Sequence, residues 1–235
     1  MINKIEINKI IINNLEPVKN SFKNKNDKFS AKGFWGEKKV KIFEVFDKNQ
    51  GPLIEFISNT RELSQYFPKL ITYNEKFIVE EWINGKTLRE LSSGLKKTIP
   101  QTEEVKHIIS LMWSLKYEKQ VFNYLEYIHK RINKKFSLDL KNVPIRVNHN
   151  DLSLDNIILS SEGLKIIDNE FLGCNNGWVL NIKNSFLLDD DEYQNYISTE
   201  TLNALWIIRK EWSKINSNKL KKKNWTLKNL IKKLL

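Results

Sequence analysis

Val147-Asn148-His149-Asn150-Asp151-Leu152-Ser153-Leu154-Asp155-Asn156-Ile157-Ile158-Leu159 is followed, after a turn at Ser161-Glu162-Gly163, by Leu164-Lys165-Ile166-Ile167-Asp168-Asn169-Glu170. The polar first half reads as a short loop. Ile157 to Leu159 and Leu164 to Ile167 are apolar runs of strand length joined through a glycine-bearing turn, so they predict a two-stranded ribbon. Such a ribbon places Asn156, at its entry, and Asp168, at its exit, facing one pocket. Phosphoryl transfer from a nucleotide needs that donor set: a carboxylate to receive or orient the acceptor hydroxyl, and an amide oxygen with a second carboxylate to hold magnesium against the phosphates. On this reading Asp151 is the base, and Asn156 and Asp168 are the metal ligands.

The spacing sharpens the assignment. His149, any residue, Asp151, four residues and then Asn156 match the catalytic-loop pattern of kinases, with Asn150 where the protein-kinase version has arginine. Here the chain resembles the protein-kinase-like superfamily, and within it the small-molecule and glycan kinases: aminoglycoside and choline kinases, and bacterial lipopolysaccharide (Kdo-type) kinases. Asp168-Asn169-Glu170 stands where a protein kinase has Asp-Phe-Gly, and Ser153 where Ser/Thr protein kinases carry lysine. Both departures point to that branch. The resemblance implies an α+β class and a bilobal protein-kinase-like fold. A small antiparallel-sheet N-lobe with one helix would span residues 1–83, and a mainly helical C-lobe residues 84–235. It also implies ATP and Mg2+ as cofactors, with His149, Asp151 and Asn156 in the catalytic loop. One at a time, these are ordinary turn residues, and His149 alone would read as a hydrogen-bonded core histidine; the upstream elements decide between the readings.

Phe29 to Phe43 reads as a hairpin with Gly33 and Gly36 in its turn and a second strand from Lys39 to Val45. Strand side chains alternate, so Lys41 points away from Val40 and Ile42, toward the cleft. In the resembled family a glycine turn covers the nucleotide phosphates and the next strand presents a lysine to them; this assigns Gly33 and Gly36 to the first role, without a third glycine, and Lys41 to the second. Gly51-Pro52 opens a helix that ends before Pro68. The family anchors its strand lysine with a helical glutamate, and Glu55 is preferred over Glu62, two turns further along the same face. Leu70 to Tyr73 and Phe77 to Val79 predict another hairpin. Glu80 to Leu88 then resembles the hinge of aminoglycoside-type kinases, where backbone amides around Glu81, Trp82 and Ile83 meet adenine before Gly85 and a helix capped by Thr87. Apolar stripes from Leu88 to Leu115 and from Val121 to Ile132 read as core helices.

Composition excludes several other classes. The chain has 235 residues, 40% of them apolar, one cysteine (Cys174) and a formal net charge of +11. This suffices for one large domain or two lobes, and rules out an internal disulfide framework. The charge favours anionic partners. No zinc-ligand cluster, GxGxxG, P-loop or internal repeat occurs, and no recognition motif for nucleic acid accompanies the charge. The short apolar stretch at Ile10-Ile11-Ile12 is interrupted by polar residues, which predicts a soluble cytoplasmic protein.

After Glu170, related kinases carry an aspartate that braces the catalytic loop; Asn181 stands near that place. Glu192 to Lys214 and Trp225 to Leu235 predict final helices, with Trp206, Ile207 and Trp212 packed. The basic run Lys219 to Lys223 reads as a solvated loop, or as a peripheral contact with an anionic membrane or glycan. The expected activity is ATP-dependent transfer of a phosphate to a hydroxyl of a small molecule or glycan, a sugar, lipopolysaccharide-type or amino alcohol acceptor. The alternatives are a nucleotide-binding scaffold without transfer, and a protein Ser/Thr kinase, which the missing Asp-Phe-Gly and Ala-Pro-Glu disfavour.

Overall fold

Alternating apolar residues build the first half of the chain. The computed structural model describes residues 4–18, 28–92, 102–132, 134–183 and 195–220. Strands β1 (Lys4–Ile7) and β2 (Ile10–Pro17) form a hairpin around Asn8 and Lys9, which have φ of 49° and 66°. The partial alternation of apolar with polar residues from Ile2 to Ile12 by itself suggests one opening strand, with Asn13-Asn14 and Pro17 as its break. A two-residue turn with positive φ at both positions matches the twist of the flanking strands, so the break falls at Asn8-Lys9. Asn14 instead marks a bulge within β2. With β3 (Ser30–Trp35), β4 (Lys38–Glu44), β5 (Leu70–Tyr73) and β6 (Phe77–Glu81), they make a six-stranded antiparallel sheet in the order β1-β2-β3-β4-β6-β5.

Alternation then divides the sheet into two faces. Ala31, Val40, Ile42 and Val79 pack with Ile7, Ile12 and Leu15 into a small core on one side. Phe43 and Ile78 belong to the other side and enter the main core. That core does not stop at the sheet. It takes in Leu53 and Ile57 of α1 (Gln50–Ser58), Val105, Ile108 and Met112 of α4 (Thr102–Ser114), Val147, and Phe171. Backbone pairing changes partner between Glu81 and Lys86, yet the apolar interior is continuous across that point.

The helix expected from Gly51 to Pro68 is two helices. Thr60 is extended (φ −83°, ψ 114°), which ends α1 and starts a short α2 (Arg61–Ser64). At the start of α3 (Leu88–Ser92), Thr87 Oγ1 accepts from the Glu90 amide at 3.1 Å while Glu90 accepts from the Thr87 amide at 2.8 Å, a reciprocal capping box. α5 (Tyr124–His129) is shorter than the stripe from Val121 to Ile132 suggested, because Val121 pairs as a strand with Cys174.

α6 (Thr199–Leu220) starts later than expected, and its phase corrects another expectation. Thr201, Leu205, Ile208 and Trp212 recur at helical spacing on the buried face, so Trp206 and Ile207 fall outside it and are 42% and 44% exposed. The expected helix from Trp225 to Leu235 and the side chains of Lys219 to Lys223 lie outside the described residues. No helix among the described residues is long and apolar enough to cross a membrane.

Three short ladders complete the fold. β8 (Arg146–His149) pairs with β11 (Leu172–Asn175), and β9 (Ile157–Ser160) pairs with β10 (Gly163–Ile166) on one side and β7 (Lys86–Thr87) on the other. Gly85 lets the linker approach β9 closely: a Cβ there would sit 2.4 Å from the Leu159 carbonyl oxygen.

Candidate active site

The β9–β10 hairpin delivers the two ligand candidates to its open end. Beyond the last ladder pair, Ile157 with Ile166, the Ile167 amide still donates to the Asn156 carbonyl at 2.9 Å, and Asp168 follows directly. Asp168 has φ 66°, a left-handed conformation that aspartate tolerates better than most residues. The loop before the hairpin is closed by local bonds from Leu152 N to His149 O (3.1 Å) and from Asn156 N to Ser153 O (2.9 Å). The Asn156 amide nitrogen donates to the Asp151 carbonyl oxygen at 2.7 Å and lies 3.3 Å from its carboxylate. That leaves the Asn156 side-chain oxygen as the atom able to meet a ligand.

His149 and Asn150 fasten this loop to the segment after Asp168. His149 Nε2 lies 3.0 Å from the Ile167 carbonyl, and Asn150 donates to the Phe171 carbonyl at 2.6 Å. Burial pushes the His149 imidazole down to about 4, so the ring is neutral near pH 7 and positions the loop without adding charge. The Asn181 side chain lies outside the described residues.

Lys41 reaches this group from β4, as strand alternation required. Its ammonium pairs with Asp168 and lies 3.4 Å from Glu170. Glu80, its direct neighbour on β6, is buried and accepts from the Asn169 amide at 2.9 Å. Burial lowers the Lys41 pKa, but the charges of Asp168, Glu170 and Glu80 outweigh it, and the net shift is upward. Burial pushes the Glu80 carboxyl up to about 7, and raises Glu170 as well.

These shifts carry a stability consequence of defined sign. A buried neutral His149 stabilises the fold above its ordinary pKa of 6.5, and that contribution is lost as pH falls toward 4. Glu80 behaves oppositely: the folded chain holds its proton up to about pH 7 and the unfolded chain releases it near 4.5, so stability is lost as pH rises through that window. Glu80→Gln, which keeps the acceptor for Asn169, is therefore expected to match the wild type at pH 5. At pH 8 it should exceed it by about 2–3 kcal/mol, given a pKa moved from 4.5 to about 7. Denaturant melts at the two pH values check this, and equal gains at both would contradict it.

Several site residues named from the sequence lie elsewhere. Glu55 does not anchor Lys41: it is exposed on α1, and its carboxylate accepts from the Tyr73 hydroxyl at 2.7 Å. Glu62 on α2 is exposed too. The lysine finds its carboxylates in Asp168 and Glu170, which follow the hairpin. Glu55→Ala is accordingly expected to change phosphate transfer by less than about twofold, the scale of an ordinary surface substitution; a loss above tenfold would restore its assigned role.

The glycines are corrected by sheet order. Gly36 (φ 58°) sits in the β3–β4 turn at the end of the sheet next to Trp82, whose amide donates to Lys39 and whose ring lies 4.4 Å from the Lys39 ammonium. Gly33 lies within β3, and its missing Cβ makes room for Ile12 and the Asn13 carbonyl, 2.7 and 2.9 Å from where it would be. Gly36 therefore stands away from Lys41, and Gly33, which pairs with Val40 beside Lys41, has its open side taken up by β2. In the linker, the Glu81 amide is taken by the Lys69 carbonyl and the Trp82 amide by Lys39. Only Ile83, of the three, keeps an amide without a partner among the described residues.

Magnesium fits the residues at the hairpin end. It binds through one or two protein oxygens and retains water and phosphate oxygens for the rest, which Asn156 and Asp168 match. The described residues contain no cluster of three or more His, Cys, Asp or Glu that would hold a metal by side chains alone.

The choline kinase LicA from Streptococcus pneumoniae superposes on this structure with a TM-score of 0.51 at 11% sequence identity, covering 93% of this chain and 91% of that one. The aminoglycoside phosphotransferase APH(2")-IIa, in its ternary complex with streptomycin and ATP, gives a TM-score of 0.50 at 15% identity over 95% and 91% of the two chains. APH(2")-IIia, in its complex with GDP and kanamycin, gives 0.51 at 13% identity over 87% and 85%. The chain has the protein-kinase-like fold of the small-molecule kinases. No protein-family model matches the sequence, and no curated protein matches it either. Along the chain, the six-stranded sheet with α1 precedes the linker from Glu81 to Lys86, and the ladders from β7 onward with α3 to α6 follow it.

Three buried residues around Lys41 and the segment after Asp168 escaped sequence reasoning: Gln50, Glu80 and Glu170. Glu80 did leave a signal. It continues the apolar run Phe77-Ile78-Val79 and shares its face with Ile78, so alternation alone would have buried it.

Proposed function

We propose that this chain is an ATP-dependent kinase that transfers the γ-phosphate to a hydroxyl of a small molecule or glycan. One observation carries the reading: Lys41 from the small lobe is paired with Asp168 at the open end of a hairpin, and Asn156, at that same end on the other strand, is bonded to Asp151. Magnesium bound with the nucleotide supplies charge neutralisation on the phosphate oxygens. Asn156 and Asp168 would hold it. Lys41, kept charged by its carboxylate neighbours, balances the phosphates, and the Ile83 amide offers a donor to the base. Asp151, half-buried at the mouth of the loop, orients the acceptor hydroxyl and takes its proton.

Two considerations support the acceptor class. Relatives of this fold include a choline kinase and aminoglycoside phosphotransferases, which favours a small hydroxylated acceptor over a protein. The net charge of +11 favours an anionic one, such as a phosphorylated glycan. The test is a transfer screen with Mg-ATP over sugars, sugar nucleotides, amino alcohols and lipid-A-type glycans, read by ADP release and product mass. Transfer to one class supports the proposal. Magnesium-dependent nucleotide binding with no transfer to any class would instead indicate a nucleotide-binding scaffold.

A further inference from the structure

Gln50, at the start of α1, is completely buried. Its side-chain oxygen accepts from the amides of Phe46 at 2.6 Å and Asp47 at 3.1 Å, and its nitrogen donates to the carbonyls of Glu170 and Leu172, both at 3.0 Å. Every hydrogen-bonding position of the amide is thereby used. Two bonds are local to the β4–α1 turn; the other two grip the backbone immediately after Asp168. A second buried side-chain link runs to the same segment, from Asn169 to Glu80 of β6.

Resting on the kinase reading, we infer that Gln50 and Glu80 are positioning residues: they clamp Asp168-Asn169-Glu170 to the small lobe, in place of the helical glutamate that α1 does not bring to Lys41. The geometry fits this task better than simple core filling. A buried amide satisfied at both ends fixes distance and direction together, and an unsatisfied end costs about 1–3 kcal/mol. Lys41 contacts the side chains of the segment, Gln50 its main chain, and Glu80 its central residue. Asp168 is therefore held from three small-lobe elements, and a shift of its carboxylate would displace the metal site and the lysine together. Neither positioning residue touches the reacting atoms.

Gln50→Glu separates the two ends of the amide, because a carboxylate still accepts from Phe46 and Asp47 but cannot donate to Glu170 and Leu172. Wild type and variant are compared well below their melting temperatures, by calorimetric titration with ATP at graded magnesium, alongside steady-state transfer. The variant should need roughly 10- to 100-fold more magnesium for half-saturation, as losses of outer partners at metal sites do, while magnesium-free nucleotide binding persists. The loss relative to wild type should shrink at lower pH, where the introduced carboxyl protonates and regains one donor.

Glu80→Leu and Glu80→Gln keep the inference testable if Gln50→Glu does not fold: the leucine variant should raise the magnesium requirement, and the glutamine variant, which still accepts from Asn169, should restore it. A lowered melting temperature with an unchanged magnesium requirement in Gln50→Glu or Glu80→Leu overturns the clamp. If the wild type itself shows no magnesium-dependent nucleotide binding, the kinase reading fails first and by a different result.

Discussion

Asp168→Ala is expected to abolish phosphate transfer, with a loss on the order of 10³-fold or more, because it removes the proposed magnesium ligand and the closest partner of Lys41 in one step. The fold should survive. Lys41 retains Glu170 at 3.4 Å and the neighbouring Glu80, so the ammonium is not left alone in a buried site, which is the circumstance that makes breaking such pairs so destabilising. Circular dichroism should therefore show a folded variant while ADP release with magnesium and acceptor is lost. Retention of more than a tenth of the wild-type rate would mean that Asp168 is not the metal ligand.

Asp151→Asn should also remove transfer, by about 10²–10⁴-fold, the usual contribution of a positioned base. Its signature differs. The Asn156 amide bonds mainly to the backbone carbonyl of residue 151, at 2.7 Å, and a change of side chain leaves that carbonyl in place. Asn156 should keep its orientation, so nucleotide affinity and magnesium requirement should stay near wild type while the chemical step fails. Together the two variants separate binding from transfer: the first disturbs both, the second only the latter. Full activity of Asp151→Asn across the acceptor panel would remove the residue from the base role.

What could be read without coordinates follows from distance along the chain. The loop, the ribbon and both ends of the ribbon lie within one contiguous stretch, so spacing and strand periodicity were enough to put Asn156 and Asp168 at the open end of one hairpin, with the loop of Asp151 leading into it. Lys41 was legible for a similar reason, since alternation between Val40 and Ile42 fixes its face. Its anchors were not. Glu170 is 129 positions away from Lys41, Gln50 contacts a backbone 120 positions later, and such pairings depend on how the lobes close, which no local pattern encodes. Glu55 was a reasonable candidate on helical spacing, but α1 turns that face to Tyr73 instead. The glycines show a related limit: a turn was recognised at Gly36, whereas which end of the cleft it occupies depends on the order of strands. The exposed Trp206 and Ile207 reflect a phase error, because a helix rich in apolar residues does not announce which stripe is covered until its partners are known.

The unbroken apolar interior also bears on how the molecule moves. Leu53 and Ile57 of α1 share it with the helix Thr102–Ser114 and with Val147, which leads into the loop from His149 to Asn156. Prising the halves far apart would wet those side chains, so ligand entry should proceed by breathing of the rim and modest sliding rather than by wide hinge opening. Heat should then melt both halves in a single cooperative event, with calorimetric and van't Hoff enthalpies in agreement.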